Sequence, residues 1–409
     1  MWLVWRIVLA LLIIILTEFY FVKKLTNSLR LLFPQLKESK RKRWTIIFLI
    51  IINLYPFYLL AAWLYSAIGG QIIYIPNSSL FDYFILIPFW IWMFLVIQCL
   101  LILIPLEIIK LLLFPLYKKF KEKLRRGEAK FALALAIFFV LYIPARVLYD
   151  YYTVSIRITE YKKSSLPAAF NNFKLVFISD MQADEFTNNA RLENFIEKVN
   201  STNPDLVLVG GDFITSTPNY IETSAIFAGK IKSKYGVYSC VGDHDNWAYR
   251  NNTSRSLSEV IEALKEHNVE MIDNRKRTIK INGAEISIAF ITNTYVEKIN
   301  GAKFDSVIGK DLSGELKILL VHQPSNFLVE KAKKYNFNLM LAGHTHGGQV
   351  TFLFPFKNLS PTLFETKYVR GNFHFGSLLM VVTRGLGMSL VPLRYNSTPE
   401  VTVIIINPS

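Results

Sequence analysis

The residues with the most chemistry in them are two histidines two positions apart, in Gly343-His344-Thr345-His346-Gly347-Gly348. They follow the apolar run Leu339-Met340-Leu341-Ala342, which reads as a buried strand carrying both imidazoles to its C-terminal end. Three earlier apolar runs end in Asp180, Asp212 and the cluster Gly242-Asp243-His244-Asp245, and a fourth ends in His322. Carboxylates and imidazoles set just past successive strands converge at one edge of a sheet, which is how an α/β fold assembles a metal site. Taken singly, an aspartate after a strand is more often an N-cap, and His322 reads equally well as a satisfied loop residue. A His-x-His pair closing a strand favours a metal, because side chains two apart face the same way.

The elements that must position these residues begin at Phe173, where strands alternate with amphipathic helices. Strands are expected near 174–179, 205–209, 236–241, 316–321, 338–342, 378–383 and 401–406, and helices near 188–200, 220–233, 256–267 and 324–334. A β-rich stretch covers 269–292. Alternation followed by hairpin-like strands predicts an α/β domain of two packed β-sheets flanked by helices.

Residues 1–150 differ in kind. The chain is 52% hydrophobic overall, and the excess lies in four apolar runs at 2–22, 44–68, 81–116 and 131–147, which predict a four-helix transmembrane domain. The first run lacks the basic start and small-x-small site of a signal peptide and is expected to be a retained helix. Pro56 predicts a kink in the second. Residues 151–171 form a polar, partly β-like connector, and 172–409 form the C-terminal domain.

Of the net charge of +15, residues 1–171 hold 21 Lys and Arg against 8 Asp and Glu, and the remainder 25 against 23. The positive charge therefore flanks the membrane, and a nucleic-acid partner is excluded. The connections 23–43 and 117–130 are strongly basic, whereas 67–80 has no Lys or Arg. The positive-inside rule then predicts an integral membrane protein with both termini outside, the C-terminal domain facing the periplasm or exterior. Acidic residues within the runs are few (Glu18, Asp82 and Glu107, all near ends), which argues against a transporter. Two cysteines, Cys99 and Cys240, provide neither a disulfide framework nor a thiolate metal site.

Five motifs stand in order: Phe177-Ile178-Ser179-Asp180-Met181-Gln182, Gly210-Gly211-Asp212, Gly242-Asp243-His244-Asp245, Val321-His322-Gln323-Pro324 and Gly343-His344-Thr345-His346. With Gly347-Gly348-Gln349, Thr383-Arg384-Gly385-Leu386-Gly387, Pro392-Leu393-Arg394 and Pro399-Glu400, residues 172–408 resemble the calcineurin-like metallophosphoesterases. The likeness is to a membrane-associated bacterial branch acting on lipid or nucleotide-diphosphate phosphoesters. The resemblance implies a four-layer αββα sandwich. It also implies two divalent ions, one held by Asp180, Gln182, Asp212 and His346, the other by Asp212, Asp243, His322 and His344. Catalytic roles fall to His244 and Asp245, with His244 stabilising the phosphoryl oxygen or protonating the leaving group. Two positions depart from the family, Gln182 for a histidine and Asp243 for an asparagine. The oxygen donor at 182 favours Mn²⁺, or Mg²⁺, over Zn²⁺, with Fe a further option. The carboxylate at 243 adds a third negative charge, which tightens metal binding and makes the cluster less electrophilic.

The segment 350–375 is rich in Phe, Leu and Tyr and contains Lys357, Lys367 and Arg370. It reads either as irregular core or as an apolar, basic rim suited to an amphipathic phosphate ester. The expected function is therefore phosphodiester or pyrophosphate hydrolysis, with a lipid-linked or cell-envelope substrate. The alternative is a catalytically weak membrane sensor or scaffold on the same fold.

Overall fold

The computed structural model describes residues 2–69, 78–249, 251–309 and 312–408. The chain divides into two units, Met1–Leu148 with Phe352–Leu359, and Tyr149–Thr351 with Ser360–Ser409.

The first unit is helical: α1 (Trp2–Leu32), α2 (Glu38–Ile52), α3 (Leu54–Ala67), α4 (Ser79–Leu112) and α5 (Lys121–Tyr152), with a short helix at Phe114–Lys119. Helices α4 and α5 are each long and apolar enough to cross a membrane, and α2 with α3 form a pair bent by 51° that passes the same test together. The bend expected at Pro56 lies at Asn53, between the two helices. Proline lacks an N–H and is tolerated in a first helical turn, so Pro56 sits inside the start of α3 rather than at the break. Most of the uncharged 67–80 connection lies outside the described residues. Glu18 on α1 accepts from Trp92 Nε1 on α4 at 2.5 Å and from Asn53 Nδ2 at 3.0 Å, which ties α1, α4 and the α2–α3 junction through one buried carboxylate. The segment Phe352–Leu359 joins this unit through Gln98. The Gln98 amide donates to the Leu353 carbonyl at 2.7 Å and accepts from the Leu353 N–H at 2.8 Å, as a neighbouring strand would.

The second unit contains β1 (Ser155–Lys162), β2 (Phe173–Ile178), α6 (Asn189–Asn200), β3 (Leu206–Val209), α7 (Ile221–Gly229), β4 (Val237–Ser239), α8 (Thr253–Glu266), β5 (Val269–Met271), β6 (Arg275–Ile281) and β7 (Ala284–Ile291). It continues with α9 (Gly301–Ile308), β8 (Leu316–Val321), α10 (Asn326–Lys334), β9 (Leu339–Ala342), β10 (Gly371–Phe375), β11 (Leu378–Val382) and β12 (Glu400–Asn407). One sheet has the order β1-β12-β2-β3-β4-β5 and the other β10-β11-β9-β8-β7-β6. Strands β2 to β5 are mutually parallel, as are β7, β8, β9 and β11. The alternation of side chains along a strand decides the layers. Leu175 and Phe177 on β2 pack inward with Ile288, Leu320 and Leu341 of the other sheet. Val176 and Ile178 face outward onto Leu192, Phe195 and Leu264 of the helices. On the far side, Leu319 and Met340 meet Phe304 and Leu328. The result is the αββα sandwich, with the predicted connector folded into it: β1 pairs in parallel with β12 along its whole length.

Candidate metal centre

The parallel strands of both sheets end at one edge, and the residues just past those ends share it. Asp180 follows β2, Asp212 follows β3, Asp243 follows β4, His322 follows β8, and His344 and His346 follow β9. Five of the seven candidate ligands hold a left-handed backbone: Asp180 (φ 57), Gln182 (φ 49), Asp212 (φ 60), His344 (φ 66) and His346 (φ 48). That conformation costs a non-glycine residue about 1 kcal/mol or more, and it persists where the surroundings dictate side-chain direction. Two glycines make room for it. A Cβ on Gly242 would collide with Asp212 Oδ1, and one on Gly343 with Ser179 Oγ and Asp180 Oδ2.

The side chains meet in two overlapping groups, Asp243 with His322 and His344, and Asp180 with Asp212 and His322. His322 Nε2 lies 3.3 Å from Asp212 Oδ2 and 3.2 Å from Asp243 Oδ2. Its Nδ1 donates to the Gly210 carbonyl at 2.7 Å, which turns Nε2 toward the cluster. His344 Nδ1 is 2.9 Å from Asp243 Oδ2, and His346 Nε2 is 3.5 Å from Asp180 Oδ1. Gln182 donates to Asp212 Oδ2 at 2.9 Å, while its Oε1 is buried with no hydrogen-bond partner. An acceptor oxygen stranded among carboxylates and imidazoles is satisfied by a cation. The donors present therefore fit divalent metal ions of the oxygen-preferring kind.

Electrostatics point the same way. Burial disfavours the charged form of Asp243, but hydrogen bonds from His322 and His344 overcome it and hold the carboxyl well below the usual range. Burial, followed by the Arg394 guanidinium, pushes His346 well below its ordinary value and keeps it neutral. Against burial, the Asp243 and Glu365 carboxylates raise His344 to about 9. Charges this compressed in a buried cluster are typical of functional sites.

His244 stands beside the cluster. Its backbone N–H donates to Asp212 Oδ1 at 2.8 Å, its Nδ1 bonds the Thr215 carbonyl, and its Nε2 is 3.2 Å from Ser389 Oγ. With Trp247, Tyr295 and Leu390 it lines a cavity of about 320 Å³ floored by Asp212, Asp243 and His344. Asp245, the second residue expected to be catalytic, is held by the backbone. It is fully buried, and its two oxygens accept from the backbone N–H groups of Asp212, Phe213 and Gly242 at 2.8–2.9 Å. Asp245 thus clasps the loops after β3 and β4 together. Arg370, read as part of a basic rim, instead donates to the Gly347 and Asn396 carbonyls at 3.1 Å.

Two residues of the site carry no sequence signal. Glu365 Oε1 bonds His344 Nε2 at 2.9 Å and the Tyr295 hydroxyl at 2.6 Å, and the Tyr295 N–H donates to Asp243 Oδ1. Glu365 thus faces the far nitrogen of a candidate ligand, the place of an orienting outer carboxylate.

Residues 173–348 match the family described as calcineurin-like phosphoesterase. They form a calcineurin-like metallophosphoesterase domain. A Bacillus subtilis protein named as an uncharacterized metallophosphoesterase, YkuE, is 29% identical over 245 residues, 59% of this chain and 82% of its own length. A Bos taurus transmembrane protein with a metallophosphoesterase domain is 25% identical over 252 residues, and that match spans about half of its length, 54%. The Escherichia coli phosphodiesterase YaeI is 24% identical over 250 residues, 61% of this chain and 85% of its own. The calcineurin-like domain is of the metal-dependent phosphoesterase type, and it follows helices apolar enough to span a membrane.

Proposed function

We propose that the chain is a membrane-bound dinuclear phosphoesterase that hydrolyses a phosphodiester or pyrophosphate bond in a lipid-linked or cell-envelope substrate. The observation that carries the reading is the convergence of Asp180, Gln182, Asp212, Asp243, His322, His344 and His346 at one strand edge, beneath a cavity that His244 enters. When bound, two divalent ions, Mn²⁺ first among them, supply Lewis-acid stabilisation of phosphoryl charge and an activated water. The chain's own residues do the rest. Asp212 Oδ1 and the Thr215 carbonyl orient the His244 backbone and ring. Its Nδ1–H is then committed to a carbonyl, and Nε2 holds a proton for the leaving oxygen. The exposed apolar residue Leu390 at the mouth, and Phe364 close by in sequence to the lining residue Thr362, suit a substrate with an acyl or prenyl part.

We read four crossings: α4, α5 and the bent pair α2–α3, which pass the test of length and composition, with α1 as the fourth. Lys24, near the end of α1, pairs with Glu107, near the end of α4. Both helices therefore finish at one face, and the chain between them must cross once, which assigns the bent pair α2 and α3 to a single span. The basic connections 23–43 and 117–130 then share the cytoplasmic face, and the catalytic domain lies outside. Protease added to intact spheroplasts should cut the domain, and protection would reverse the orientation.

Full-length protein in detergent with added Mn²⁺ should bind metal and turn over bis-p-nitrophenyl phosphate or a lipid pyrophosphate. His244→Ala should lose about 10²-fold or more in turnover while keeping its metal, and Asp212→Ala should lose both. Unchanged turnover in either variant would sink the reading. A second reading, a metal-binding sensor, is favoured by the ionised third carboxylate at Asp243, and full metal content with no turnover across phosphoester classes would select it.

A further inference from the structure

A second polar cavity, of about 370 Å³, lies wholly within the helical unit and is lined by basic side chains. Lys24 of α1, Lys110 of α4 and Lys121 and Arg125 of α5 contribute cations, and Asn27 and Tyr117 contribute uncharged polar groups. Two carboxylates lie within reach. Glu107 and Glu128 pair with Lys24 and Lys110, with Lys110 Nζ 3.2 Å from Glu107 and 3.0 Å from Glu128. These four charges cancel. Lys121 and Arg125 do not join them: one turn apart on α5, both exposed, neither has an ion-pair or hydrogen-bond partner among the described residues. Two uncompensated cations thus face a cavity whose remaining charges are internally balanced.

The depth of the cavity is fixed by the apolar patterning. Lys24 follows the apolar run of α1, Lys110 is two residues from the end of α4, and Lys121 and Arg125 precede the apolar part of α5. All three helices therefore place these residues at one end of their apolar spans, where headgroups lie if the helices cross a bilayer. Leu111 and Leu112, next to Lys110, are strongly exposed, as lipid-facing side chains are. A basic pocket between helices at this level matches a phosphate held in place by acyl chains.

We propose that this cavity binds the phosphate headgroup of an acidic phospholipid, at a site built from residues outside the metallophosphoesterase domain. The inference rests on the membrane reading of the helices and is independent of turnover. Full-length protein would be titrated in detergent with phosphatidylglycerol or phosphatidylcholine and its bound lipid read by native mass spectrometry. Wild type should retain phosphatidylglycerol preferentially, and Lys121→Gln with Arg125→Gln should weaken that retention about 30-fold, with metal content and phosphoesterase turnover unchanged. Equal retention of the two lipids by wild type, or undiminished preference in the double variant, would overturn the proposal. Inorganic phosphate at millimolar concentration should leave the bound lipid in place, and displacement by it would assign the site to a soluble anion instead. If turnover is absent while lipid preference persists, the enzymatic reading fails alone. Release of the protein from membranes by alkaline carbonate would remove the basis of the lipid site and of membrane attachment, leaving phosphoester hydrolysis standing.

Discussion

At the scale of single residues, the informative positions are those where this chain departs from its family or adds to it. Asp243 stands where the resemblance expects asparagine, and its carboxyl is held ionised by His322 and His344. Replacing it by asparagine keeps the shape and removes one negative charge. Asp243→Asn should therefore weaken metal retention and raise turnover per bound metal, measured by metal titration beside single-turnover kinetics. A variant with tighter metal binding would show that the extra charge is not felt by the ions. Glu365 adds an orienting partner. Its loss leaves His344 free to rotate and to carry its proton on the wrong nitrogen, so Glu365→Gln should lower metal affinity about 10- to 100-fold. Glu365→Asp should recover part of that affinity, which a merely structural role would not predict.

At the scale of elements, the loops after β9 and β11 are held by a buried guanidinium. Arg394 donates to the carbonyls of Gly387, His346, Ser397 and Arg384 at 2.6–3.2 Å, and burial lowers it to about 9. A single planar fork reaches four carbonyls, of which His346's also accepts from the Gln349 N–H and Ser397 Oγ. Arg394→Lys keeps the charge and loses the fork, taking a donor from the carbonyls of Gly387, Ser397 and Arg384. The expected cost is about 3 kcal/mol of stability, read as a lower denaturation midpoint, with His346 the ligand most displaced. Midpoint and metal content both equal to wild type would refute this. The carboxylate of Asp245 does a related job between the loops after β3 and β4. Sequence alone placed it beside His244 and suggested chemistry; the three backbone amides it accepts from show a positioning role that the sequence did not announce.

At the scale of the whole molecule, three buried aspartates repel one another, and bound cations would relieve that repulsion. Chelation should lower the melting temperature of the full-length protein, and Mn²⁺ should restore it. At free metal about 100 times the dissociation constant, the linked stabilisation is about 2.7 kcal/mol. An unchanged melting temperature with EDTA would mean that the cluster does not retain ions. The segment Phe352–Leu359 shows how far organisation escapes a linear reading. It lies within the span assigned to the catalytic domain, yet Gln98 claims its backbone for the helical unit. The range 350–375 looked uniform because composition reports polarity, not partner.

Much of the molecule was settled by the sequence itself. Apolar periodicity of two or of 3.6 separates strands from helices locally, and a strand end followed by Asp or His needs no distant information to be read. The alternation at Leu175, Val176, Phe177 and Ile178 already required a strand covered on both faces. The seven candidate ligand positions were legible because they fall in five short motifs, each just past its own strand. Tertiary structure alone decided the rest. Glu365 and Tyr295 have no motif, and they reach Asp243 and His344 only because the chain after β9 and the loop after β7 fold over the same edge. The unpaired Gln182 Oε1, the committed oxygens of Asp245 and the balanced quartet around Lys24 are facts about which atoms meet. Side-chain identity limits what an atom can bond, and only the fold determines whether a partner has already taken it.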